Sequence, residues 1–434
     1  MNRLASIIIK VTFSACVSVG LAPRLDAQLV SASAASLALG DNYTALARGI
    51  NAVAWNPAGL GMPDNPFVSF AFAGRGAAGT DPISLSDLSK YSGVTVPNAV
   101  LASWLSRVQA QGGQKVDAEG AGSFALSVGP IAFQLATSAY ERGKLSPDAV
   151  EVLLYGNAGA SGTPRSMSLK GSRTEGAVMT TAAASFGQSV DLGLGHLAIG
   201  ATAKYIVGNA LLLGEDAGSQ LDANPLALNV QFPIIQSDTS LDGMPQRGHG
   251  VGLDVGAAWT FGPFAAGATI QNLINTFRWD VGQMYFRPGG AIFNTSGARQ
   301  TNFDAIGMSQ LPDSLRARAA ALSSEVEAMR FTPSLNLGAS MKVLPFLTAM
   351  ADVRQNLGDG MRVAERTHVG AGAELRLIPF LPLRAGLSLI SGGYVASAGA
   401  GLEVAFFHLN AGVAARKTEY GQFPSGALTV SFGQ

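Results

Sequence analysis

The segment Ala45–Gly61 reads ALARGINAVAWNPAGLG, and its NPAG motif, which begins at Asn56, occurs once in the chain. The Asn-Pro step disfavours helix at Asn56, and the proline ring fixes the φ angle of Pro57. Gly59 and Gly61 then permit turns that no bulkier residue makes. The pattern predicts a short helical run that stops at a rigid elbow of small residues. On spacing alone, this elbow is either an ordinary helix-to-strand loop or a functional element.

The composition is typical of a membrane β-barrel. The chain has 434 residues, of which 53 are glycine, 13% are charged and 47% are hydrophobic. A soluble domain carries about twice that charge, and a disordered chain has much less apolar content. No run of about 18 apolar residues follows the N-terminus, as a transmembrane helix would need. The net charge is zero, so nothing indicates nucleic acid as a partner.

The N-terminus has the pattern of a secretory signal. The basic residues Arg3 and Lys10 precede a short apolar core, Val11–Leu21, and a cleavage site follows at Ala27. Residues 1–27 are therefore predicted to be a signal peptide.

The single cysteine, Cys16, lies inside this signal. The stretch Phe13–Cys16 resembles a lipoprotein cleavage box only weakly, so lipidation is the lesser alternative. The mature chain then has no cysteine for a disulfide, a thiolate metal site or thiol catalysis.

Alternating segments, each about ten residues long, recur from Phe67 onward, and this length suits a tilted strand that crosses a bilayer. One face of each segment is apolar. The other face is rich in Gly, Ser and Thr and carries the charges, which indicates a lipid-facing side and a lumenal side. The fourteen predicted strands are Phe67–Gly74, Ser123–Gly129, Ile131–Tyr140, Ala177–Gly187, Leu197–Gly208, Gly250–Phe261, Phe264–Leu273, Ser334–Leu344, Phe346–Asn356, Thr367–Ile378, Leu381–Ile390, Tyr394–Ala405, Phe407–Arg416 and Ala427–Phe432.

The predicted connections alternate between minimal turns and mostly long loops. Bacterial outer-membrane barrels have an even strand count, short periplasmic turns and longer external loops. We therefore expect an all-β fold, a 14-stranded antiparallel transmembrane β-barrel with both termini in the periplasm. A soluble β-sandwich would also alternate, but its charges would point to bulk water and its loops would not sort by length. The predicted outer loops are 75–122, 141–176, 209–249, 274–333, 357–366, 391–393 and 417–426.

With a signal peptide, a barrel pattern and NPAGL ahead of the first strand, the chain resembles the FadL superfamily of outer-membrane proteins. The likeness is greatest to its PorV-like branch and extends to IQNLINTFRW at Ile270–Trp279 and THVGAGAELRLIPFLPLRAGLS at Thr367–Ser388. It covers most of the mature chain, although only the NPAGL patch is specific. The resemblance implies a barrel that carries long-chain fatty acids or other hydrophobic molecules.

The resemblance also implies that an N-terminal segment folds back into the barrel as a plug. Asn56, Pro57 and Ala58 match the family's NPA motif, and Gly59 completes the elbow. A 14-stranded barrel is wider than its own side chains can fill, so something must close it. Residues 28–66 are rich in Ala and Ser and are the predicted plug, and residues 67–434 form the barrel.

Four charged or titratable residues are expected to meet in the lumen. Counting across the short turns places Arg384 opposite Glu374 and His408 opposite Glu403. A Glu/His pair could serve catalysis, but a neutralised charge cluster that braces the wall or holds the plug is the favoured interpretation. The four histidines have no metal-ligand spacing, and no nucleophile elbow or phosphate loop is present.

Two predicted helices in the outer loops carry apolar stripes. They pack on each other, or they form a capture site for a hydrophobic ligand between them. The stripe residues are Leu315, Leu322, Val326 and Met329 within 312–330, and Leu101, Trp104 and Leu105 within 98–108.

The sequence therefore predicts an outer-membrane barrel for passage of a fatty-acid-like hydrophobic molecule. It is not expected to be an enzyme or to need a cofactor or metal. The alternative is a PorV-like barrel whose outer loops dock a secreted or envelope protein. Outer-membrane lipid is the expected surrounding, and nucleic acid is not an expected partner.

A protease added to intact cells is expected to cut only within the long loops, most readily in 209–249 or 274–333, because the short turns would face the periplasm. Mass spectrometry of the fragments checks this. Cleavage from outside at Gly129-Pro130 or Gly262-Pro263 would contradict the predicted strand count.

Overall fold

A computed structural model describes residues 31–191, 193, 195–238, 246–294, 297–358, 360–361 and 366–433. The predicted signal peptide, residues 1–27, lies outside the described part of the chain. The first residues of the predicted plug, 28–30, lie outside it as well.

Fourteen antiparallel strands form a closed barrel, as predicted. Each strand pairs with the next along the chain, and the last strand pairs with the first from Ser69 opposite Gly433 to Ala77 opposite Ser425. The strands are β1 Val68–Asp81, β2 Gln114–Val128, β3 Ile131–Leu145, β4 Arg173–Asp191, β5 His196–Glu215, β6 Gly248–Phe261, β7 Phe264–Asn275, β8 Ser334–Leu344, β9 Leu347–Asn356, β10 Thr367–Leu375, β11 Leu383–Ile390, β12 Gly393–Val404, β13 Phe407–Thr418 and β14 Gly421–Gly433.

The connections sort by length less strictly than predicted. We call the end of the barrel that holds the long loops the loop end. Two connections there are only short turns, 391–392 and 419–420. At the opposite, short-turn end, β10 and β11 are joined by the longer segment 376–382. Pro379 and Pro382 in that segment cannot donate ladder hydrogen bonds, so both strands stop short of it.

Side chains alternate between a lipid-like exterior and a small or polar interior. Phe133, Leu387 and Val413 point outward and are exposed. Inward positions on the same barrel include Lys204 and Asp254, which are buried although both are charged. The charges therefore face the lumen, as the alternation predicted.

The residues predicted as a plug lie inside the barrel. Residues 31–62 are almost entirely buried and contain two short α-helices, α1 (Ala34–Ala38) and α2 (Ala52–Trp55). Two 3-10 turns, Gly49–Asn51 and Pro57–Gly61, complete the segment. We call residues 31–66 the plug.

Ten wall glycines allow the plug to lie directly against the strands. A Cβ atom on Gly200 would sit 2.4 Å from the carbonyl carbon of Pro57, and one on Gly386 would sit 2.1 Å from that of Leu39. Real Cβ atoms do not approach other atoms so closely, so only glycine fits. This glycine belt comprises Gly187, Gly200, Gly256, Gly267, Gly338, Gly370, Gly372, Gly386, Gly399 and Gly412, on strands β4 to β8 and β10 to β13.

The described residues of the long loops contain four α-helices and several short strands. None of the helices in the described residues is long and apolar enough to cross a membrane. The α-helices are α3 Leu85–Lys90, α4 Asn98–Ala110, α5 Pro147–Tyr155 and α6 Asp313–Ala328, with 3-10 turns at Gly156–Ala158, Val281–Gln283 and Met308–Gln310. A separate outer sheet is built from Met167–Ser168, Gln220–Ala223, Leu226–Gln231, Gly290–Asn294 and Gly297–Asn302, and the remaining short strands are Ile234–Gln236, Arg278–Trp279, Tyr285–Arg287 and Ile306–Gly307.

Gly256→Val is expected to displace the plug but leave the barrel assembled. The new Cβ would meet the Asn56 side chain at 2.2 Å, and such overpacking costs about 1–3 kcal/mol. Ion conductance in planar bilayers should rise above that of the wild type. Gly74→Val is the matched control, because Gly74 is a strand glycine with nothing within 4 Å of its Cβ position. Equal conductance in both variants would contradict the belt's role.

Candidate functional site

The NPAG motif forms the elbow of the plug inside the lumen. Asn56 is extended (φ −155°, ψ 102°), as expected before proline, and Pro57 begins the 3-10 turn. The Asn56 Oδ1 atom accepts a hydrogen bond from the Ala58 N–H at 3.1 Å. Its Nδ2 atom donates to the Ala257 carbonyl of β6 at 2.9 Å. One side chain therefore both closes the turn and fastens it to the wall.

Polar wall side chains bind the backbone of the plug, which has too little regular structure to satisfy its own groups. The Asp352 Oδ2 atom on β9 accepts hydrogen bonds from the N–H groups of Tyr43 at 3.0 Å and Thr44 at 2.9 Å. On β14, the Thr429 hydroxyl accepts from the Ala34 N–H at 2.8 Å. These contacts give an otherwise irregular segment a defined position.

An ion pair joins the plug to β1. The Arg75 guanidinium donates to both carboxylate oxygens of Asp41, each at 2.7 Å, and both side chains are nearly buried. Burial alone would raise the pKa of Asp41, but the charge and hydrogen bonds of Arg75 hold that pKa well below its usual value. The stabilisation is therefore complete at neutral pH and is lost only as the pH falls below the usual range of a carboxyl group.

A second link connects the wall to both halves of the plug. Arg354 on β9 donates to Nδ1 of His368 at 2.8 Å, and its guanidinium lies 5.2 Å from the centre of the Trp55 ring. The other ring nitrogen of His368 is 3.1 Å from Oδ1 of Asn42. The Trp that precedes the NPAG motif thus rests on a cation supplied by the wall.

The predicted charge cluster forms at the short-turn end, with one change of partner. Arg384 donates to Glu374 at 2.7 Å across the predicted strand register. Arg376 bridges the two carboxylates, donating to Glu374 at 2.6 Å and to Glu403 at 2.6 and 3.1 Å. His408 lies opposite Glu403 as predicted. The hydrogen bonds that hold Glu403, however, come from Arg376, whose side chain reaches back from beyond β10.

The predicted helix α6 packs into an apolar core at the loop end. Leu322, Val326 and Met329 are buried there, and Leu315 packs against its edge. We call this core the mouth cluster. Its large members, besides those of α6, are Tyr140, Met179, Ile206, Leu211, Leu213, Ile235, Phe277, Trp279, Met284, Phe286, Leu311, Phe331 and Met361.

The other predicted helix, α4, packs in a different apolar cluster from α6. Trp104 is buried with Val150 of α5 and Ile83 in a separate cluster, against which Leu101 packs, and Leu105 is buried on the same helix. A capture site between the two predicted helices therefore does not form in this structure. Each stripe is instead covered by its own neighbours.

A small cavity separates the plug from one section of the wall. It lies against β1, β2, β3 and β14, where the inward residues include Ala71, Ala73 and Ala125. Ala32 of the plug and Ala73 of β1 line the cavity and also adjoin the mouth cluster. The cavity and the mouth cluster are therefore neighbours within the lumen.

Comparison with solved structures finds similar barrels. The toluene transporter TbuX of Ralstonia pickettii matches with a TM-score of 0.52 and 13% sequence identity over 93% of this chain and 97% of its own. A deletion mutant of TodX, a monoaromatic hydrocarbon channel, matches with a TM-score of 0.53 and 11% sequence identity over 93% of this chain and 98% of its own. Both are FadL-family transporters.

The chain has the FadL-type barrel fold. The resemblance seen in the NPAGL patch is thus confirmed at the level of the fold. The family model for TraF of the F plasmid transfer operon also matches residues 84–278, which is less than half of the chain. No curated protein matches the sequence.

Within this FadL-type barrel, the sequence located the elbow and three members of the charge cluster but missed most contacts of the plug. Alternation puts Asp352 and Arg376 on the lumenal face but does not identify their partners. Among the described residues, no group of three or more His, Cys, Asp or Glu side chains is placed to hold a metal ion. The described lumen thus contains hydrogen bonds and ion pairs that hold the plug, and the mouth cluster lies at its loop end.

Asp41→Asn is expected to loosen the plug. Losing this nearly buried ion pair should lower the free energy of plug opening by about 2–3 kcal/mol, which corresponds to a roughly 30-fold or greater rise in the fraction of open plug. The rate at which a maleimide labels Ser36→Cys, a fully buried plug position, measures this opening. Asp64→Asn is the control, because Asp64 also pairs with an arginine, Arg48, but is 69% exposed. The same acceleration in both variants would contradict a specific role for Asp41.

Glu403→Gln is expected to destabilise the short-turn end by roughly 1–2 kcal/mol, because Arg376 loses one of its two ionic partners in a partly solvated place. His408→Asn should have a much smaller effect. The temperature at which the folded barrel loses its fast electrophoretic mobility compares the two variants. A larger loss in His408→Asn would show that the pairing assigned to Arg376 is wrong.

Proposed function

We propose that this protein is an outer-membrane channel through which a hydrophobic small molecule passes beside the plug. The exterior supports a membrane location. Outward side chains form an apolar band, and exposed aromatic residues gather at the short-turn end, as they do at the interfaces of membrane barrels. These aromatic residues are Phe67, Phe261, Phe264, Phe346, Phe380 and Phe406.

The mouth cluster is the observation that carries the proposal. The rest of the described lumen is lined largely with small residues, hydrogen-bonding side chains and ion pairs, and its apolar contacts, such as Ile390 and Val395 on Leu37 of the plug, form smaller clusters. At the loop end the interior is instead apolar, with Phe277, Phe286 and Met284 almost fully buried. An apolar interior at the entrance favours molecules that leave water readily. Methionine and aromatic side chains also adapt to ligands of different shape.

The proposed route continues past the plug on its less tightly packed side. The glycine belt holds the plug against β4 to β8 and β10 to β13. The cavity lies on the remaining side, where alanines replace the belt glycines. A small shift of the plug away from this wall would widen the cavity into a passage. No covalent chemistry is required, so the proposed role is not enzymatic.

Toluene is the first probe of this proposal, since TbuX is a toluene transporter and TodX a monoaromatic hydrocarbon channel. A long-chain fatty acid is the second probe, because the sequence resemblance also implied such a ligand. Uptake into proteoliposomes that contain the full chain, measured for both probes, distinguishes the two ligand classes.

A disulfide between plug and wall tests the route. Asn42 and Ser388 form a side-chain hydrogen bond of 3.1 Å, so Asn42→Cys with Ser388→Cys places two thiols on neighbouring positions of plug and wall, in a mature chain predicted to have no other cysteine. We expect the oxidised form to block uptake and reduction to restore it. Ser69→Cys with Ser127→Cys is the control, because those hydroxyls lie 2.6 Å apart on two wall strands.

Uptake that continues through the oxidised plug-to-wall variant would show that the molecule does not pass the plug. Absence of uptake by the wild type for both probes would contradict the proposed function itself. Loss of uptake in the wall-to-wall control would mean that oxidation, rather than fixing the plug, is responsible.

A docking role remains the second candidate because of the outer sheet. Its strand Gly290–Asn294 exposes Ile292 and Phe293, and Phe303 is exposed just after its last strand. Exposed apolar side chains on an outer sheet favour a protein partner. Removing them by Ile292→Ser and Phe293→Ser should leave uptake unchanged if the channel proposal holds, and should release a bound envelope protein if docking is the function.

A further inference from the structure

A layer of buried polar side chains separates the plug elbow from the mouth cluster. Thr269 on β7 pairs with Gly256 of β6 on one side and with Asn336 of β8 on the other. Gly256 in turn contacts Asn56 of the elbow. Asp254 on β6 is the next inward residue toward the loop end. We call Lys204, Asp254, Thr269, Asn272 and Asn336 the polar floor.

Lys204 neutralises Asp254 in the polar floor, but only one of the two carboxylate oxygens of Asp254 is paired. The Asp254 Oδ1 atom lies 2.5 Å from Lys204 Nζ and accepts from the Asn272 N–H at 2.7 Å. Asn272 adopts a left-handed conformation (φ 53°) at a bulge and also accepts from Lys204 at 2.7 Å. The second carboxylate oxygen of Asp254, Oδ2, has no hydrogen-bond partner although the residue is buried.

Two further buried polar atoms of the floor lack hydrogen-bond partners. These are the Thr269 hydroxyl oxygen and the Asn336 Oδ1 atom, both on residues that are at most 1% exposed. Buried polar atoms are nearly always hydrogen-bonded, and leaving them unpaired destabilises a protein. Three such atoms in one layer indicate a place for a polar group that the chain itself does not supply.

The polar floor is continuous with the mouth cluster. Ile206, the next inward residue after Lys204 on β5, belongs to the mouth cluster. On β6, Gly250 lies against Phe277, where a Cβ atom would sit only 2.3 Å from the Phe277 backbone. A molecule that entered among the mouth-cluster side chains would therefore meet the polar floor with its far end.

We propose that the polar floor recognises a hydroxyl group on an otherwise apolar ligand, an inference that rests on the proposed channel function. The partnerless atoms of Asp254 and Asn336 are acceptors, so a carboxylate ligand would be rejected. Lys204 already neutralises Asp254, so a cationic group gains little. A neutral hydroxyl fits both requirements, because it donates to Asp254 or Asn336 and can accept from the Thr269 hydroxyl.

Binding of p-cresol and p-xylene to the detergent-solubilised full chain tests this inference, because a hydroxyl replaces one methyl group and the shape is kept. An apolar site without partners would prefer p-xylene, since the hydroxyl of p-cresol is well hydrated in water. We expect the wild type to bind p-cresol at least as tightly as p-xylene. Titration calorimetry measures both affinities.

Thr269→Val keeps the shape of the side chain but removes its hydroxyl. It should weaken p-cresol binding about fivefold to tenfold and leave p-xylene binding unchanged. Thr269→Ser restores the hydroxyl and should retain the preference. Thr137→Val is the control, because it removes a hydroxyl from an outward-facing strand position.

If Thr269→Val bound each molecule as tightly as the wild type does, the hydroxyl inference would be overturned. A wild-type preference for p-xylene would overturn it as well. Either result would leave the channel proposal intact. Binding of neither molecule would contradict both. Weakening of both molecules by Thr269→Val would show a structural role for Thr269 and would also count against recognition of the hydroxyl.

Discussion

The close approach of the plug backbone to the barrel wall is the constraint on which the rest of this structure depends. At Gly200 and Gly386 the plug lies nearer to the strand than any Cβ would allow. This approach explains why glycine is placed inward on nine of the fourteen strands, although glycine lowers strand stability. The rigid Asn56-Pro57 elbow meets the requirement from the other side, since it presents backbone and small side chains to the wall. Without the belt, the same plug would need a wider barrel or a different path.

The asymmetry of that packing links the fold to the proposed function. On the side of the barrel that carries the belt, Asp352 accepts hydrogen bonds from the plug and Asn56 of the plug donates one to the wall, and these hold the plug in register. Where the wall carries alanines, a cavity adjoins the apolar mouth cluster. The plug is packed closely on the belt side and adjoins the cavity on the other, where the Asp41–Arg75 pair and the Ala34–Thr429 hydrogen bond join it to β1 and β14. Opening these two links would let the plug shift without disturbing the strand ladder. The polar floor lies between the mouth cluster and the elbow, so on the proposed route a ligand would meet polar atoms before it reached the elbow.

Features with a fixed period or a local rule could be predicted from the sequence. Alternation of side chains gave the strand count and the lumenal face, and the NPAG pattern located the elbow. Counting along the chain across Pro379 placed Arg384 opposite Glu374, although the connection 376–382 is not a tight turn. Contacts across the lumen could not be predicted, because they depend on strand stagger and on the path of an irregular segment. The Asp41–Arg75 pair and the bridging by Arg376 are of this kind, as is the separation of α4 from α6, which depends on how long loops fold over the mouth.

Hydrogen exchange of the plug amides tests the central claim most directly. The N–H groups of Ala34, Tyr43 and Thr44 are bonded to wall side chains, so a docked plug should protect them to a degree comparable with the barrel strands. Mass spectrometry of peptides from residues 31–62, measured on the detergent-solubilised chain, gives their exchange rates. Slow exchange throughout this segment is the predicted result. Exchange at the rate of an unstructured peptide would contradict the account, because a plug that the glycine belt does not hold cannot close the barrel.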